Sequence, residues 1–256
     1  LLQRQHAYRI DHFRIVRVIL EQAVELDPRF VDADDIAALA RIGFNRASFG
    51  VQDFDPAVQE AVNRIQSVEQ TRAVVDACRA NGFRSVNVDL IYGLPKQSVE
   101  GFSKTLDTVL TARPNRFAVY GYAHMPQIFK PQRQIKVEDL ATPETRLELL
   151  GLTIEKLSAA GYVYIGMDHF ALPDDELVLA QQQGTMYRNF QGYTTHGHCD
   201  LIGLGVSAIG KVGATYSQNA KTLDEYYDAL RNGEFPIVRG LHLSRDDLVR
   251  RAVIMA

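Results

Sequence analysis

The sequence predicts an α/β fold in which parallel strands and outer helices wind into a barrel-like domain. Short runs of β-branched and aromatic residues alternate with longer amphipathic stretches, and consecutive runs lie about one helix apart. Strands spaced in this way need crossover connections, which join parallel strands. Because such crossovers are right-handed, successive units wind in the same direction, into an open sheet or a barrel.

The boundaries of the individual elements follow from local signals. The predicted strands are residues 22–26, 46–51, 86–92, 116–122, 162–166 and 201–204. The predicted helices are residues 32–42, 68–81, 99–112 and 143–160. The first, second and fourth of these end at Gly43, Gly82 and Gly161, and the third ends before Pro114, as helix stop signals predict. We expect the barrel domain in residues 1–173 and less regular structure in residues 174–256.

Composition narrows the classes of function. The 256 residues are 46% hydrophobic and 23% charged with a net charge of -3, so nothing electrostatic suggests a nucleic-acid partner. No apolar run approaches the roughly 18 residues of a membrane helix, and no signal peptide is visible. Cys78 and Cys199 are the two cysteines, too few for a disulfide framework or for the three thiolates of an iron–sulfur site. We therefore expect a cytoplasmic protein without a nucleic-acid or membrane partner.

Polar residues lie at or near the carboxyl ends of five predicted strands, the edge where parallel α/β folds bind ligands. They include Glu25, Gln52, Asp89, His124 and His169. Asp89 lies inside an apolar strand, where an ionised carboxylate is unfavourable without a partner or a ligand. By contrast, the carboxylates at positions 27, 53 and 55 are interpreted as helix caps or turn formers. As a set, the five strand ends predict a binding site.

Two other kinds of site are compatible with isolated motifs. Glu25, Asp89, His124 and His169 could bind the metal of a barrel hydrolase, and His-x-His at positions 196 and 198 has ligand types at close spacing. The segment GLGVSA at residues 203–208, with Asp224 downstream, fits a dinucleotide fingerprint. Because the residues that follow are too rich in glycine for the required helix, we interpret that segment as a strand and a loop.

Six motifs in order carry a resemblance to a known family. They read GFNRASFGVQDFDPAVQEAVNRIQ, VNVDLIYGLPKQ, YAHMP, YIGMDHFALPDDELVLAQ, RNFQGYTT and DLIGLGVSAIG. Together they resemble the oxygen-independent coproporphyrinogen III oxidases, enzymes that use radical S-adenosylmethionine (SAM) chemistry. The resemblance extends over nearly the whole chain and implies a partial (β/α) barrel of the radical SAM type. It also implies that two SAM molecules bind over this barrel.

The resemblance implies SAM-binding roles at six positions. Glu25 matches the position that binds the SAM on the cluster, and five further positions match contacts in the same region: Gln52, Arg64, Asp89, Ala123 and Ile209. Glu25 and Asp89 can accept hydrogen bonds from ribose hydroxyls or an ammonium group, and Arg64 can pair with a carboxylate. Lys96, Arg133, Lys136 and Arg188 are candidate cations for the carboxylates of the substrate.

The implied reaction is the oxidative decarboxylation of two propionates of coproporphyrinogen III, giving protoporphyrinogen IX in heme synthesis. A reduced four-iron four-sulfur cluster, supplied with electrons by a donor, cleaves SAM to a 5′-deoxyadenosyl radical that abstracts hydrogen. The parent protein is expected to be a monomer. The protein positions and shields this cofactor chemistry.

The sequence departs from the family pattern at both ends. It lacks the C-x-x-x-C-x-x-C cluster motif, the GGGTP segment and the C-terminal helical domain. It does not start with Met, and its last residues, RRAVIMA, have the pattern of a helix. We expect the cluster cysteines upstream, a barrel incomplete at its N-terminus, and no metal ligand in these residues. Three explanations stay open: a fragment of an active enzyme, a truncated module that binds SAM or porphyrin without catalysis, or a metal-dependent barrel hydrolase.

Overall fold

The structure, a computed structural model, describes residues 22–189 and 192–255. It divides the chain into two compact units, Leu1–Phe170 and Ala171–Ala256. The domain division predicted between residues 173 and 174 remains a prediction. No helix in the described part of the chain is long and apolar enough to cross a membrane.

The first unit contains most of a six-stranded sheet in the order β1-β2-β3-β4-β6-β5. The strands are β1 (Ala23–Leu26), β2 (Arg46–Gln52), β3 (Ser85–Tyr92), β4 (Arg116–Gly121), β5 (Val163–Gly166) and β6 (His169–Ala171). Strands β1 to β4 pair in parallel, each with the next along the chain. The predicted parallel α/β architecture is therefore confirmed, as are five of the six predicted strands.

Five helices connect these strands. They are α1 (Ala33–Arg41), α2 (Pro56–Ala61), α3 (Val68–Ala80), α4 (Val99–Ala112) and α5 (Pro143–Ala159), with 3-10 turns at Lys130–Gln134 and Val137–Asp139. Polar caps fix their starts: Asp32 and Ser67 each form a capping box, and Thr142 caps α5. The four predicted helices are confirmed within one or two residues. The short helix α2 was not predicted; Asp55 caps it, with Pro56 in its first turn.

The core of this unit lies between the sheet and the helices. Alternate residues of β2 and β3, such as Phe49, Val51, Val88 and Leu90, are fully buried. Cys78 of α3 is buried with them, and burial raises the pKa of its thiol to about 12. Cys78 is therefore a core residue. Because side chains alternate along a strand, the remaining residues of β2 and β3 face away from this core.

Strand β6 was not predicted from the sequence. Met167 and Asp168 form a turn after β5, with Met167 in the left-handed region at φ 51°, and β6 then enters the sheet between β4 and β5. The backbone N–H of Val119 donates to the carbonyl of Asp168 at 2.7 Å, which ties this turn to β4. A strand of three residues is too short to show a period of two.

The second unit has helices, a hairpin and a small antiparallel sheet. Its helices are α6 (Glu176–Gln183), α7 (Leu223–Arg231) and α8 (Arg245–Met255). The hairpin pairs β7 (Tyr187–Asn189) with β8 (Gly192–Thr194), and the sheet has the order β11-β10-β9. Its strands are β9 (Ile209–Val212), β10 (Thr215–Asn219) and β11 (Ile237–His242).

The strand predicted at residues 201–204 is wrong. Leu201 forms an isolated bridge with Lys211, and the strand itself is β9. Gly205 (φ 98°) and Ser207 (φ 61°) adopt left-handed backbone, which interrupts a ladder, and the Asn219 amide donates to the Gly203 and Gly205 carbonyls at 3.2 and 2.9 Å. Residues 203–208 form a loop, and the strand β9 follows it in place of the helix of a dinucleotide fingerprint, so the predicted loop is confirmed and a strand within this segment is not. Asp224 lies in the first turn of α7.

Candidate functional site

A row of polar side chains crosses the face of the sheet that points away from the core. Glu25 of β1 is opposite Ser48 of β2, and Ser48 is opposite Asn87 of β3. Asp89 lies two residues further along β3 and therefore projects from the same face. These residues are half-buried or exposed, in contrast to the fully buried opposite face.

Asp89 is the most perturbed carboxylate of this row. Its Oδ2 accepts a hydrogen bond from Ser48 Oγ at 3.1 Å, and its Oδ1 accepts one from Asn87 Nδ2 at 2.7 Å. Burial, with a smaller contribution from the negative charge of Glu25, raises the pKa of Asp89 to about 6 against the lowering effect of these two hydrogen bonds. A carboxylate in this state gains from a ligand that donates hydrogen bonds or carries positive charge. Asp89 thus has the properties of a binding group rather than of a turn former.

Gln52 ends strand β2 in a strained conformation. Its φ is 67°, in the left-handed region, and the pairing register with β3 shifts between Gly50 and Gln52. Such irregularities at strand ends re-aim a side chain and are concentrated at functional sites. The Oε1 atom of Gln52 is buried and has no hydrogen-bond partner among the described residues. Gln52 Oε1 can therefore accept a hydrogen bond from a ligand at the end of this strand.

Arg64 lies beside Gln52 and is held from two sides. Its Nη1 forms an ion pair with Asp27 Oδ2 at 3.0 Å, and its Nη2 donates to the Gly50 carbonyl at 2.6 Å. Burial lowers the pKa of Arg64, and its Nε is buried without a partner in the described part of the chain. Asp27 also bonds Arg29, so the turn predicted at Asp27 is confirmed, and the same carboxylate positions Arg64.

Gly50 brings these groups together. It is opposite Asp89 in the pairing of β2 with β3, and a Cβ placed there would lie 2.8 Å from Gln52 Nε2 and 3.1 Å from Arg64 Nη2. The glycine therefore leaves the space in which both side chains approach the backbone next to Asp89. Four of the six predicted binding residues, counting Glu25, belong to this one edge of the sheet.

The other two predicted binding residues lie elsewhere in the chain. Ala123 is two residues past β4 in an exposed loop, and its carbonyl accepts a hydrogen bond from Gln132 Nε2 at 3.0 Å. Ile209 is the first residue of β9, in the second unit. Their predicted contacts with SAM remain predictions.

A buried polar network behind the site was not predicted. Asp53 follows Gln52 and accepts hydrogen bonds from Thr105 Oγ1, from Gln97 Nε2 and from the N–H of Asp55. Gln97 in turn donates to the Ile91 carbonyl at 3.0 Å. The bond from the Asp55 N–H confirms the interpretation of Asp53 as a cap or turn former. That interpretation was incomplete, because this carboxylate also ties the loop after β2 to the loop after β3. The network therefore fixes the loop that follows Gln52 and so helps to hold Gln52 in its left-handed backbone conformation.

The residues proposed for a hydrolytic metal are not assembled in the described part of the chain. Residues 22–189 and 192–255 contain no group of three or more His, Cys, Asp and Glu side chains that could hold a metal ion. His124 contacts the Tyr122 hydroxyl at 3.3 Å, and His198 contacts the Tyr187 hydroxyl at 2.9 Å. His169 stacks edge-on against Tyr120. These contacts give the hydrolase alternative no support.

The four cations predicted to contact the substrate are exposed to solvent or contact other residues of the protein. Lys96 and Lys136 are exposed, Arg133 donates to the Pro126 carbonyl at 3.0 Å, and the Arg188 guanidinium lies over the Tyr193 ring. Their contact with a substrate remains a prediction.

Comparisons with known proteins agree on one family. The Radical SAM superfamily model matches residues 2–109. Relatives named oxygen-independent coproporphyrinogen III oxidase are 56% identical in Pseudomonas aeruginosa and 50% identical in Escherichia coli, over 234 residues each. Each alignment covers 91% of this chain and 51% of the relative, so the chain spans about half the length of these relatives.

Two further matches bear on the same family. A relative of that name from Thermostichus vulcanus is 45% identical over 236 residues, which are 92% of this chain and 73% of the relative. The solved structure of coproporphyrinogen III oxidase from Escherichia coli, titled a radical SAM enzyme, matches with a TM-score of 0.86 and 50% identity, over 92% of this chain and 54% of that chain. The chain therefore belongs to the oxygen-independent coproporphyrinogen III oxidase family of radical SAM proteins.

Proposed function

We propose that this chain forms the SAM-binding part of an enzyme that decarboxylates coproporphyrinogen III to protoporphyrinogen IX without oxygen, in heme synthesis. The observation that carries the proposal is the edge formed by Gln52, Arg64 and Asp89. Each of these side chains is held in an unfavourable state that a ligand would relieve. The names of the relatives supply the substrate and an oxidation that does not need oxygen, and the family resemblance supplies the decarboxylation to protoporphyrinogen IX.

The residues at this edge fit SAM group by group. SAM offers a carboxylate, an ammonium group and two ribose hydroxyls. Arg64 presents the unpaired Nε–H that a carboxylate accepts, and Gln52 presents the unpaired Oε1 to which an ammonium or hydroxyl donates. Asp89 and Glu25 add acceptors for hydroxyls. The predicted roles of the four residues are therefore chemically consistent with SAM, of which the family resemblance implies two molecules.

Bound with a reduced four-iron four-sulfur cluster, SAM supplies radical hydrogen abstraction, which starts the oxidative decarboxylation of a propionate. The residues of this chain contribute binding and orientation. Asp27 holds Arg64 against the Gly50 carbonyl, and the network around Asp53 fixes the backbone of Gln52. A rigid donor and acceptor set of this kind aligns a ligand before it reacts. An electron donor and the cluster complete the proposed system, in the reducing cytoplasm.

The test uses protein expressed from the complete reading frame and purified without oxygen. Iron, sulfide and the visible spectrum are measured, together with 5′-deoxyadenosine formed from SAM after reduction. About four iron per chain, bleaching on reduction and 5′-deoxyadenosine formation are expected. A colourless protein without iron after reconstitution would contradict the enzymatic proposal and leave a module that binds SAM or porphyrin.

A further inference from the structure

Arg146 in the first turn of α5 lies over the ends of two neighbouring strands. A Cβ placed at Gly93, just after β3, would lie 3.1 Å from Arg146 Nε, and one at Gly121, the last residue of β4, would lie 3.2 Å from Arg146 Nη2. The guanidinium therefore rests directly on the backbone at the carboxyl edge of the parallel sheet. The two glycines leave the room that it occupies. Parallel α/β folds bind ligands at this edge.

The Arg146 side chain has no counterion in the described part of the chain. It is half-buried, and within residues 22–189 and 192–255 it forms neither a hydrogen bond nor an ion pair. By contrast, the guanidinium of Arg64 is paired with Asp27, and that of Arg29 with the same carboxylate. A guanidinium that loses part of its hydration without a partner is unfavourable unless an acceptor arrives.

A second donor lies at the same place. The hydroxyl of Tyr92, the last residue of β3, would lie 3.0 Å from a Cβ at Gly121, so it borders the same point in space as Arg146 Nη2. Within the described residues this hydroxyl makes no hydrogen bond either. The guanidinium of Arg146 and the hydroxyl of Tyr92 together supply several N–H and O–H donors that converge on one point, and neither group is negatively charged. That combination is suited to a carboxylate.

We propose that Arg146 and Tyr92 form a carboxylate-binding site at the ends of β3 and β4. The inference rests on the proposed function, which provides two sources of this chemistry: a propionate of the porphyrinogen and the carboxylate of SAM. Of the cations considered from the sequence, Arg133 and Arg188 already have protein contacts. Arg146 lies at the ligand edge, and its side chain makes no hydrogen bond or ion pair in the described part of the chain.

Binding measurements on the reconstituted protein from the complete reading frame test the site. The variants are Arg146→Gln, Arg146→Lys and Tyr92→Phe, and Arg72→Gln on the exposed surface of α3 is the matched control. The probes are coproporphyrin III, its tetramethyl ester and SAM, with dissociation constants from fluorescence for the porphyrins and from equilibrium dialysis for SAM. Losing a bidentate charged contact corresponds to about 10- to 100-fold weaker binding.

The pattern across the probes identifies the ligand. Weaker binding of coproporphyrin III, with SAM and the ester unaffected, assigns the site to a propionate. Weaker binding of SAM alone assigns it to the SAM carboxylate. Arg146→Lys keeps the charge without the fork and should recover only part of the affinity. If Arg146→Gln and Tyr92→Phe bind coproporphyrin III and SAM as tightly as the control does, the inference is overturned. The proposed function would still be supported in that case if the wild type forms the cluster and cleaves SAM.

Folding of the variants is followed by the melting temperature. No change is expected, because Arg146 makes no bond in the described part of the chain that its loss would break. Gly121→Ala provides an independent variant that keeps both donors, since its Cβ would crowd Tyr92 Oη and Arg146 Nη2. We expect it to weaken carboxylate binding less than Arg146→Gln does. A wild type that binds no carboxylate probe and forms no cluster would overturn both the inference and the proposed function.

Discussion

The Asp89→Asn substitution should stabilise the free chain and weaken its binding of SAM. Asn has the shape of Asp without its charge. Its Oδ1 can still accept from Asn87 Nδ2, which lies 2.7 Å from the carboxylate, and its amide can donate to Ser48 Oγ, which lies 3.1 Å away. The substitution therefore keeps the local geometry and removes a charge that the folded state holds in a half-buried position.

The pKa of Asp89 gives the size and the sign of the effect. Its rise from 3.8 to about 6 means that the unfolded chain releases this proton at lower pH than the folded chain does. The wild type therefore loses stability as the pH rises through this window, by about 3 kcal/mol at pH 7. The same linkage gives a smaller loss of stability at lower pH, about 1.6 kcal/mol at pH 5 and about 0.5 kcal/mol at pH 4. The Asn variant has no such loss, so its advantage should grow with pH.

The assay is urea denaturation of the 256-residue chain without ligand at pH 4, 5 and 7, followed by circular dichroism. Binding of SAM by the reconstituted protein is measured in parallel, and it should weaken by about tenfold or more, because the charged acceptor is gone. A variant less stable than the wild type at pH 7 would refute the reasoning. A gain in stability that is the same at all three pH values would refute it as well.

Two further predictions test the packing around the site and in the core. Gly50→Ala should weaken SAM binding by about tenfold with little change in melting temperature, because its Cβ displaces the flexible end of Gln52. The matched control is Gly151→Ala in α5, where nothing lies within 4 Å of the new Cβ, and it should stabilise the helix by about 0.5–1 kcal/mol with normal binding. Native protein treated with iodoacetamide at pH 8 should be labelled at the exposed Cys199 and not at Cys78, whose pKa is raised to about 12 by burial. Mass spectrometry of the peptides measures the labelling, and rapid modification of Cys78 in folded protein would contradict its place in the core.

The sequence was sufficient for the parts of the fold that depend on local signals. Helix α1 begins after Asp32 and α4 ends before Pro114, because caps and prolines act on the residues next to them. The strand predicted at residues 201–204 failed for a nonlocal reason: Asn219, in β10, supplies donors to the carbonyls of Gly203 and Gly205 in place of a neighbouring strand. No pattern within the segment itself could indicate that partner.

The candidate site divides in the same way. Asp89 could be singled out because an acid inside an apolar strand is conspicuous in any sequence. Gln52 could be noted as a polar residue at a strand end. Arg64, Ala123 and Ile209 came from the family resemblance, and the structure adds a physical reason for Gln52 and Arg64. Contacts between distant segments could not be predicted, since the bond from Gln97 to Asp53 joins residues 44 positions apart.

The strain at the edge of the sheet has a common explanation. Gln52 has unfavourable backbone and an unpaired oxygen, Arg64 has an unpaired Nε, and Asp89 has a carboxylate that burial disfavours. Elsewhere in the same unit, the buried amide of Gln59 is bonded through both its nitrogen and its oxygen. Because the three groups lie around one glycine, the proposed binding of SAM accounts for them together. Under this proposal, the free chain is less stable at this edge than its composition allows, and the edge has the shape and charge that the ligand needs before the ligand binds.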